Sequence, residues 1–202
     1  MEDYLGPSHA EEVSQGIPTA LVIASRDDQL QKDVQEVFTN EALRIYRSHD
    51  IRGAELGGGL KNILAFCAGV VFGLEYGDNT FAALLTRGLS EMAKLTAKMG
   101  GNTSTIYGLT GLGDLIVTCL SVHSRNRRAG LLFGQGKTVE ELKQEIGMTI
   151  ESIDNIETAY KLAQKYEVEM PIVNAIYDVL FNDKLPADAL KELMSRELKL
   201  ED

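Results

Sequence analysis

The sequence predicts a mainly α-helical protein: an all-helical unit over residues 50–202, preceded over residues 1–49 by the last strand–helix–strand unit of an open α/β domain. Three observations carry this. Two short runs rich in β-branched residues, Thr19–Ser25 (TALVIAS) and Ala42–Ser48 (ALRIYRS), flank an amphipathic stretch from Asp28 to Thr39. After Asp50 the apolar spacing turns helical and stays helical. A lone strand–helix–strand unit cannot cover both faces of its sheet, so the earlier strands of that α/β domain are expected upstream of this chain.

The junction between the two parts is expected near Ser48–Gly53. Beyond it, Glu55–Leu74 is apolar almost all round, as suits a central helix packed on several sides. Asn79–Met99 repeats Phe81, Leu84, Leu85, Leu89, Met92 and Leu95 on one face, with Asp78 or Asn79 as cap and Gly100 and Gly101 as the stop. The two helices are expected to pack together. Thr138–Glu141 (TVEE) has the form of a capping box and opens a short helix that Gly147 ends. Three more helices are expected at Glu151–Tyr166, Pro171–Phe181 and Pro186–Glu197, two of them opened by a proline whose missing N–H is harmless there. No fixed-period repeat or low-complexity segment interrupts this order.

Composition narrows the function. A chain of 202 residues, 44% hydrophobic and 25% charged, has material for a sizeable core and is unlike a disordered tail. Its formal charge of -10 opposes loose binding to nucleic acid or an anionic membrane, so any anion site must be local. Cys67 and Cys119 sit in apolar runs and read as reduced, small hydrophobes. Leu60–Leu74, the longest apolar stretch, contains Lys61 and Asn62 and is too short to cross a bilayer comfortably, which makes it a buried helix. Glu2 and Asp3 stand where an export signal needs positive charge, so a cytoplasmic location is expected.

Few residues remain for chemistry. Lys61 follows three glycines (GGGLKN) and opens the most apolar helix, where an unpartnered charge is costly. Either its stem lies along the core with the head in water, or burial lowers its pKa into the range useful for moving protons. Asn62 beside it is a satisfied polar group or an orienting contact. In GLTGLGDLIVTC, Gly108, Gly111 and Gly113 allow close backbone approach; no strand precedes them, so they are no dinucleotide fingerprint. Asp114 is a helix cap or the carboxylate that fixes a lysine, and Thr118, one turn on, shares its side. Ser124–Arg128 (SRNRR) opens a helix with Ser124 as cap, and its three arginines oppose the macrodipole. A small phosphate group would resolve that conflict; a solvated basic turn or pairing with acids would do so too. His9, His49 and His123 are far apart in sequence and lack ligand spacing, so no metal site is expected. A nucleophile elbow is absent. The set suits proton transfer on a small phosphorylated alcohol.

Five segments together, GPSHAEEV (Gly6–Val13), ELGGGLKN (Glu55–Asn62), TRGLSEM (Thr86–Met92), GLTGLGDLIVTC (Gly108–Cys119) and HSRNRR (His123–Arg128), closely resemble the bacterial-type NAD(P)-dependent glycerol-3-phosphate dehydrogenases. The resemblance runs from Gly6 to about Pro171. It implies a helical substrate domain like the carboxy-terminal domain of 6-phosphogluconate dehydrogenase, and it makes residues 1–49 the remnant of a Rossmann-like NAD(P)-binding domain. It further implies Lys61 as catalytic acid/base and Gly6, Ser8, Lys61, Asn62, Asp114, Thr118, Ser124, Arg125 and Asn126 as substrate contacts. Ala10, Arg125, Thr149 and Glu151 are the implied contacts to NAD or NADP. The implied partners are a phosphorylated triose or glycerol and a second copy of the chain in a homodimer, with no nucleic acid and no membrane span.

Two departures accompany the resemblance. The family's glycine fingerprint and a second substrate lysine lie upstream of its GPS motif and are absent here, so hydride transfer by this chain alone is not expected. Ser152 stands where the family usually has glycine, and GGGLKN replaces the more usual GGALKN. Competing expectations are a noncatalytic, dimerising helical module with a vestigial phosphate pocket, and a dehydrogenase of the wider superfamily acting on a hydroxy acid.

Overall fold

The computed structural model describes residues 3–198 and 200. A three-stranded sheet, β1 (Asp3–Leu5), β2 (Thr19–Ala24) and β3 (Leu43–Ser48), lies in the order β1-β2-β3. β2 and β3 run parallel, with Thr19 opposite Leu43 and Ala24 opposite Ser48, and α2 (Asp28–Phe38) makes the crossover. This is the expected strand–helix–strand unit, with Ile23, Val34 and Ile45 as its core. The sequence reading missed β1, antiparallel to β2, and the five-residue helix α1 (Ala10–Ser14), both too short to establish a period.

The remaining chain is helical: α3 (Ile51–Gly73), α4 (Asp78–Lys98), α5 (Thr103–Ile106), a π-helical segment Leu109–Gly113, α6 (Asp114–Leu120), α7 (Arg125–Gly134), α8 (Val139–Ile146), α9 (Glu151–Lys165), α10 (Pro171–Phe181) and α11 (Pro186–Met194). α3 is central. It begins earlier than its apolar pattern suggests because Asp50 caps it, its Oδ1 accepting from Gly53 N at 2.9 Å. At 23 residues α3 is long enough to cross a bilayer, correcting the expectation that it falls short. Packing rather than length makes it a core helix: α4, α6, α7 and α9 all lie on it, and 67% of its most apolar window is buried.

Glycines set how closely the neighbours approach. A Cβ at Gly88 of α4 would stand 2.4 Å from the Leu64 side chain. Against α7 the contact is main chain on main chain: a Cβ at Gly69 would meet Arg127 O at 2.1 Å, and one at Gly130 would meet Phe66 O at 1.9 Å. Gly73 and Gly134 extend the same seam by one turn.

The cap of α4 is Gly77, without a side-chain bond, rather than Asp78 or Asn79, which lie inside the helix. α8 carries both halves of the capping box and ends at Gly147 with φ 64°. α11 stops at Met194, short of the expected Glu197, where Ser195 N bonds back to Lys191 and Glu192 carbonyls. Glu91 of α4 is buried and its carboxylate accepts from Ile172 N and Val173 N, capping α10 across a tertiary contact. Burial raises its carboxyl from 4.5 to about 7 despite those donors. A raised acid favours the fold fully below its unfolded pKa and loses that contribution as pH climbs through its folded pKa. Glu91→Gln should therefore flatten the unfolding free energy between about pH 4.5 and 7, removing a fall of up to about 3 kcal/mol that urea titrations of wild type would record.

Candidate active site

Lys61 sits near the middle of α3 rather than at its start, with its side chain 20% exposed. Its Nζ donates to Asp114 Oδ2, and the Asp114 side chain is 4% exposed. Asp114 is the first residue of α6, whose cap is Gly113, so its carboxylate serves the lysine and not the helix end. Gly111 packs the preceding π-helical segment onto α5, where a Cβ would stand 2.0 Å from Ile106 O, and Gly57 does the same against Thr110 O at 2.4 Å. These approaches bring α6 beside α3. Thr118 Oγ1 lies 2.6 Å from Asp114 O and 3.3 Å from its Oδ1. Burial pushes the Asp114 carboxyl up from the ordinary value, and the Lys61 ammonium pulls against that shift.

The second half of the site is the start of α7. Ser124 caps it, Oγ accepting from Arg127 N at 3.3 Å. The three arginines separate: Arg127 lies over the Phe72 ring at 5.1 Å, Arg128 stands 3.8 Å from Glu145, and exposed Arg125 reaches, among the described residues, only the Met148 sulfur at 3.9 Å. Only Arg125 is left with its guanidinium available to an anion beside the free N–H groups of the helix terminus. Asn126 is buried and its Oδ1 accepts from Ser152 N at 3.0 Å, tying α7 to α9. Ser152 is fully buried, and its Oγ has no partner among the described residues. Asn62 Nδ2 donates to Glu151 Oε2 at 2.9 Å and clasps α3 to α9.

Both halves open on one cavity of about 560 Å³. Gly6, Ser8, Lys61, Asn62, Asp114, Thr118, Ser124, Arg125, Asn126 and Glu151 all line it. Ala10 and Thr149 are exposed and stand outside its lining. The sequence reading missed Glu55, Gly58 and Val117, and it treated His9 and His123 as separated, whereas their rings meet in this cavity at 6.1 Å. Only tertiary folding unites those two histidines, so no local spacing could have disclosed them.

A second concavity, of about 600 Å³, lies beside Asp50, Gly101 and Asn102. There the Asp50 carboxylate is already engaged by Gly53 N, Asn102 N and the Thr105 hydroxyl. Among the described residues no group of three His, Cys, Asp or Glu side chains could hold a metal ion. Cys67 and Cys119 are free and buried; burial pushes the Cys119 thiol up to about 12 and Cys67 higher still, which leaves neither as a thiolate.

Gly59, the departure in GGGLKN, faces open space: a Cβ there would have no described atom within 4 Å. Gly59→Ala should raise stability by about 0.5–1 kcal/mol in thermal or urea unfolding, since it removes freedom from the unfolded chain without a clash.

A family model described as NAD-dependent glycerol-3-phosphate dehydrogenase C-terminus matches residues 50–191. The glycerol-3-phosphate dehydrogenase [NAD(P)+] of Fusobacterium nucleatum is 54% identical over 196 residues, covering 97% of this chain and 58% of that protein. The enzyme of the same name from Clostridium perfringens is 52% identical, covering 98% of this chain and 60% of that protein. The crystal structure of glycerol-3-phosphate dehydrogenase from Coxiella burnetii superposes with a TM-score of 0.93 at 43% identity, over 97% of this chain and 60% of that one. This chain thus spans a little under three-fifths of the length of the first relative, 58%. The match over residues 50–191 takes in α3, α6 and α7, the helices that build the cavity, and on it the chain belongs to the NAD-dependent glycerol-3-phosphate dehydrogenase C-terminus family.

Proposed function

We propose that this chain supplies the substrate-holding and proton-transferring part of an NAD(P)-dependent sn-glycerol-3-phosphate dehydrogenase, which interconverts glycerol 3-phosphate and dihydroxyacetone phosphate. One observation carries the reading: the buried Lys61–Asp114 pair and the Arg125-bearing start of α7 face a single cavity. Residues 50–202 would form the substrate domain and residues 1–49 part of the nucleotide-binding domain.

In this reading the α7 N–H groups, Ser124 and Arg125 hold the phosphate, which fixes the reacting carbon from a distance. Gly6, Ser8, Asn62, Thr118 and Asn126 complete the substrate wall. As the neutral amine, Lys61 takes the C2 hydroxyl proton on Nζ as the C2 hydride leaves, and the resulting ammonium returns that proton in the reverse direction. Asp114 holds the amine against that oxygen. NAD or NADP, the cofactor in the relatives' names, supplies the hydride acceptor when bound. Its pyrophosphate does not fit the turn between β2 and α2: that turn has no glycine, and Asp27 already fills the helix terminus, accepting from Gln29 N and Leu30 N. What this chain can offer the cofactor lies at the cavity rim, with Arg125 and Glu151 and, farther out, Ala10 and Thr149.

NAD(P)-linked reduction of dihydroxyacetone phosphate is the test, measured for this chain alone and for this chain joined to the amino-terminal part of the Fusobacterium nucleatum relative. Turnover is expected only in the joined protein. A substrate panel that prefers a carboxylate to the phosphate would replace this reading with a hydroxy-acid dehydrogenase. Phosphate binding without turnover in the joined protein would establish instead a noncatalytic module that keeps the phosphate pocket. A cytoplasmic homodimer acting in carbohydrate and glycerophospholipid metabolism belongs to the first reading; the exposed Ile116, Leu120 and Val122 support an association surface, and sedimentation of the chain tests it.

A further inference from the structure

We propose that His9 contacts the substrate directly, its Nε2 holding an oxygen at the carbinol end of the ligand, with His123 packed against its ring as a positioning residue. The proposal rests on the glycerol phosphate reading above. His9 is the cap residue of α1 through its carbonyl alone; its side chain makes no cap hydrogen bond, so the ring is not committed to the helix end. Its Nε2 is shielded from solvent and has no hydrogen-bond partner among the described residues. Such a nitrogen is unfavourable until a polar group meets it. The ring lines the same cavity as Lys61, Asp114 and Arg125. His9 acts electrostatically on Asp114, which sets it towards the lysine end. The His123 ring stands 6.1 Å away, inclined by 60°, and holds the imidazole edge-on.

The chemistry at that end is hydroxyl rather than phosphate. An imidazole nitrogen donates to or accepts from a hydroxyl according to its tautomer, so it serves both the alcohol and the ketone form of the ligand. Arg125 and the helix terminus take the other end.

Calorimetry on this chain with two probes, sn-glycerol 3-phosphate and inorganic phosphate, separates the contacts. His9→Phe keeps the edge-to-face packing and removes the nitrogen. It should raise the Kd for glycerol 3-phosphate about tenfold, the loss of one hydrogen bond, and leave that for inorganic phosphate unchanged. His9→Gln, whose amide can reach the same oxygen, should recover most of the affinity. Phenylalanine binding glycerol 3-phosphate as tightly as histidine, or weakening both probes alike, overturns the proposal. Arg125→Ala should weaken both probes; if it weakens neither, the phosphate pocket itself is wrong, a result distinct from any produced at His9.

Discussion

In the joined protein, Lys61→Met is expected to lower turnover by about 10²- to 10⁴-fold, the range that a positioned proton-transfer group contributes. Binding of glycerol 3-phosphate should change far less, because Arg125 and the α7 terminus are untouched. The same substitution bears on stability. Asp114 is 4% exposed, and removing its ammonium partner strands a buried carboxylate, at a cost of about 3 kcal/mol at neutral pH. Without Lys61 the raising effect of burial on Asp114 is opposed only by the lesser pulls of Thr118 and His9, so the acid should stay protonated to higher pH and the variant should regain stability as pH falls. Lys61→Met/Asp114→Asn separates the two roles: urea unfolding should show the fold restored, while turnover stays lost. Recovery of turnover in the double variant would remove Lys61 from the chemistry.

Gly130→Ala is expected to destabilise the chain by about 3 kcal/mol or more, beyond ordinary overpacking, because the obstruction is a carbonyl oxygen and no rotamer relieves it. The added methyl would stand 1.9 Å from Phe66 O, so α7 must move off α3 or tilt. Either motion carries Ser124 and Arg125 away from Lys61, and glycerol 3-phosphate affinity should fall with stability. Gly69→Ala meets Arg127 O from the other side of the seam, and the two substitutions should not add, since the first opens the gap that the second needs. Gly59→Ala, on the same helix but facing open space, is the control. A Gly130→Ala protein that melts with wild type would refute the main-chain contact.

Local signals were legible and distant pairings were not. The apolar period of α4, the TVEE box with its left-handed Gly147, and the prolines opening α10 and α11 each depend on residues within a turn or two, and each appears where the sequence places it. β1 and α1 escaped because three and five residues are too few for a period. The partnership of Lys61 with Asp114 was anticipated only as an option, since nothing local decides whether an aspartate after glycine caps its helix or reaches across the fold. Arg127 and Arg128 looked equivalent to Arg125, and only the positions of Phe72 and Glu145 assign them elsewhere. The meeting of His9 with His123 depends on how β1 settles against α3, a matter of tertiary arrangement.

The seam between α3 and α7 has a design consequence. Its contacts are made by atoms common to every amino acid, so the crossing that separates Lys61 from Arg125 owes little to the identity of the surrounding side chains. The chemistry of the walls can then be rewritten while the frame holds still. Attempts to accept a longer or differently charged ligand belong at Ser8, Thr118 and Val117, whose replacement leaves the scaffold in register, and not along the glycine ridge.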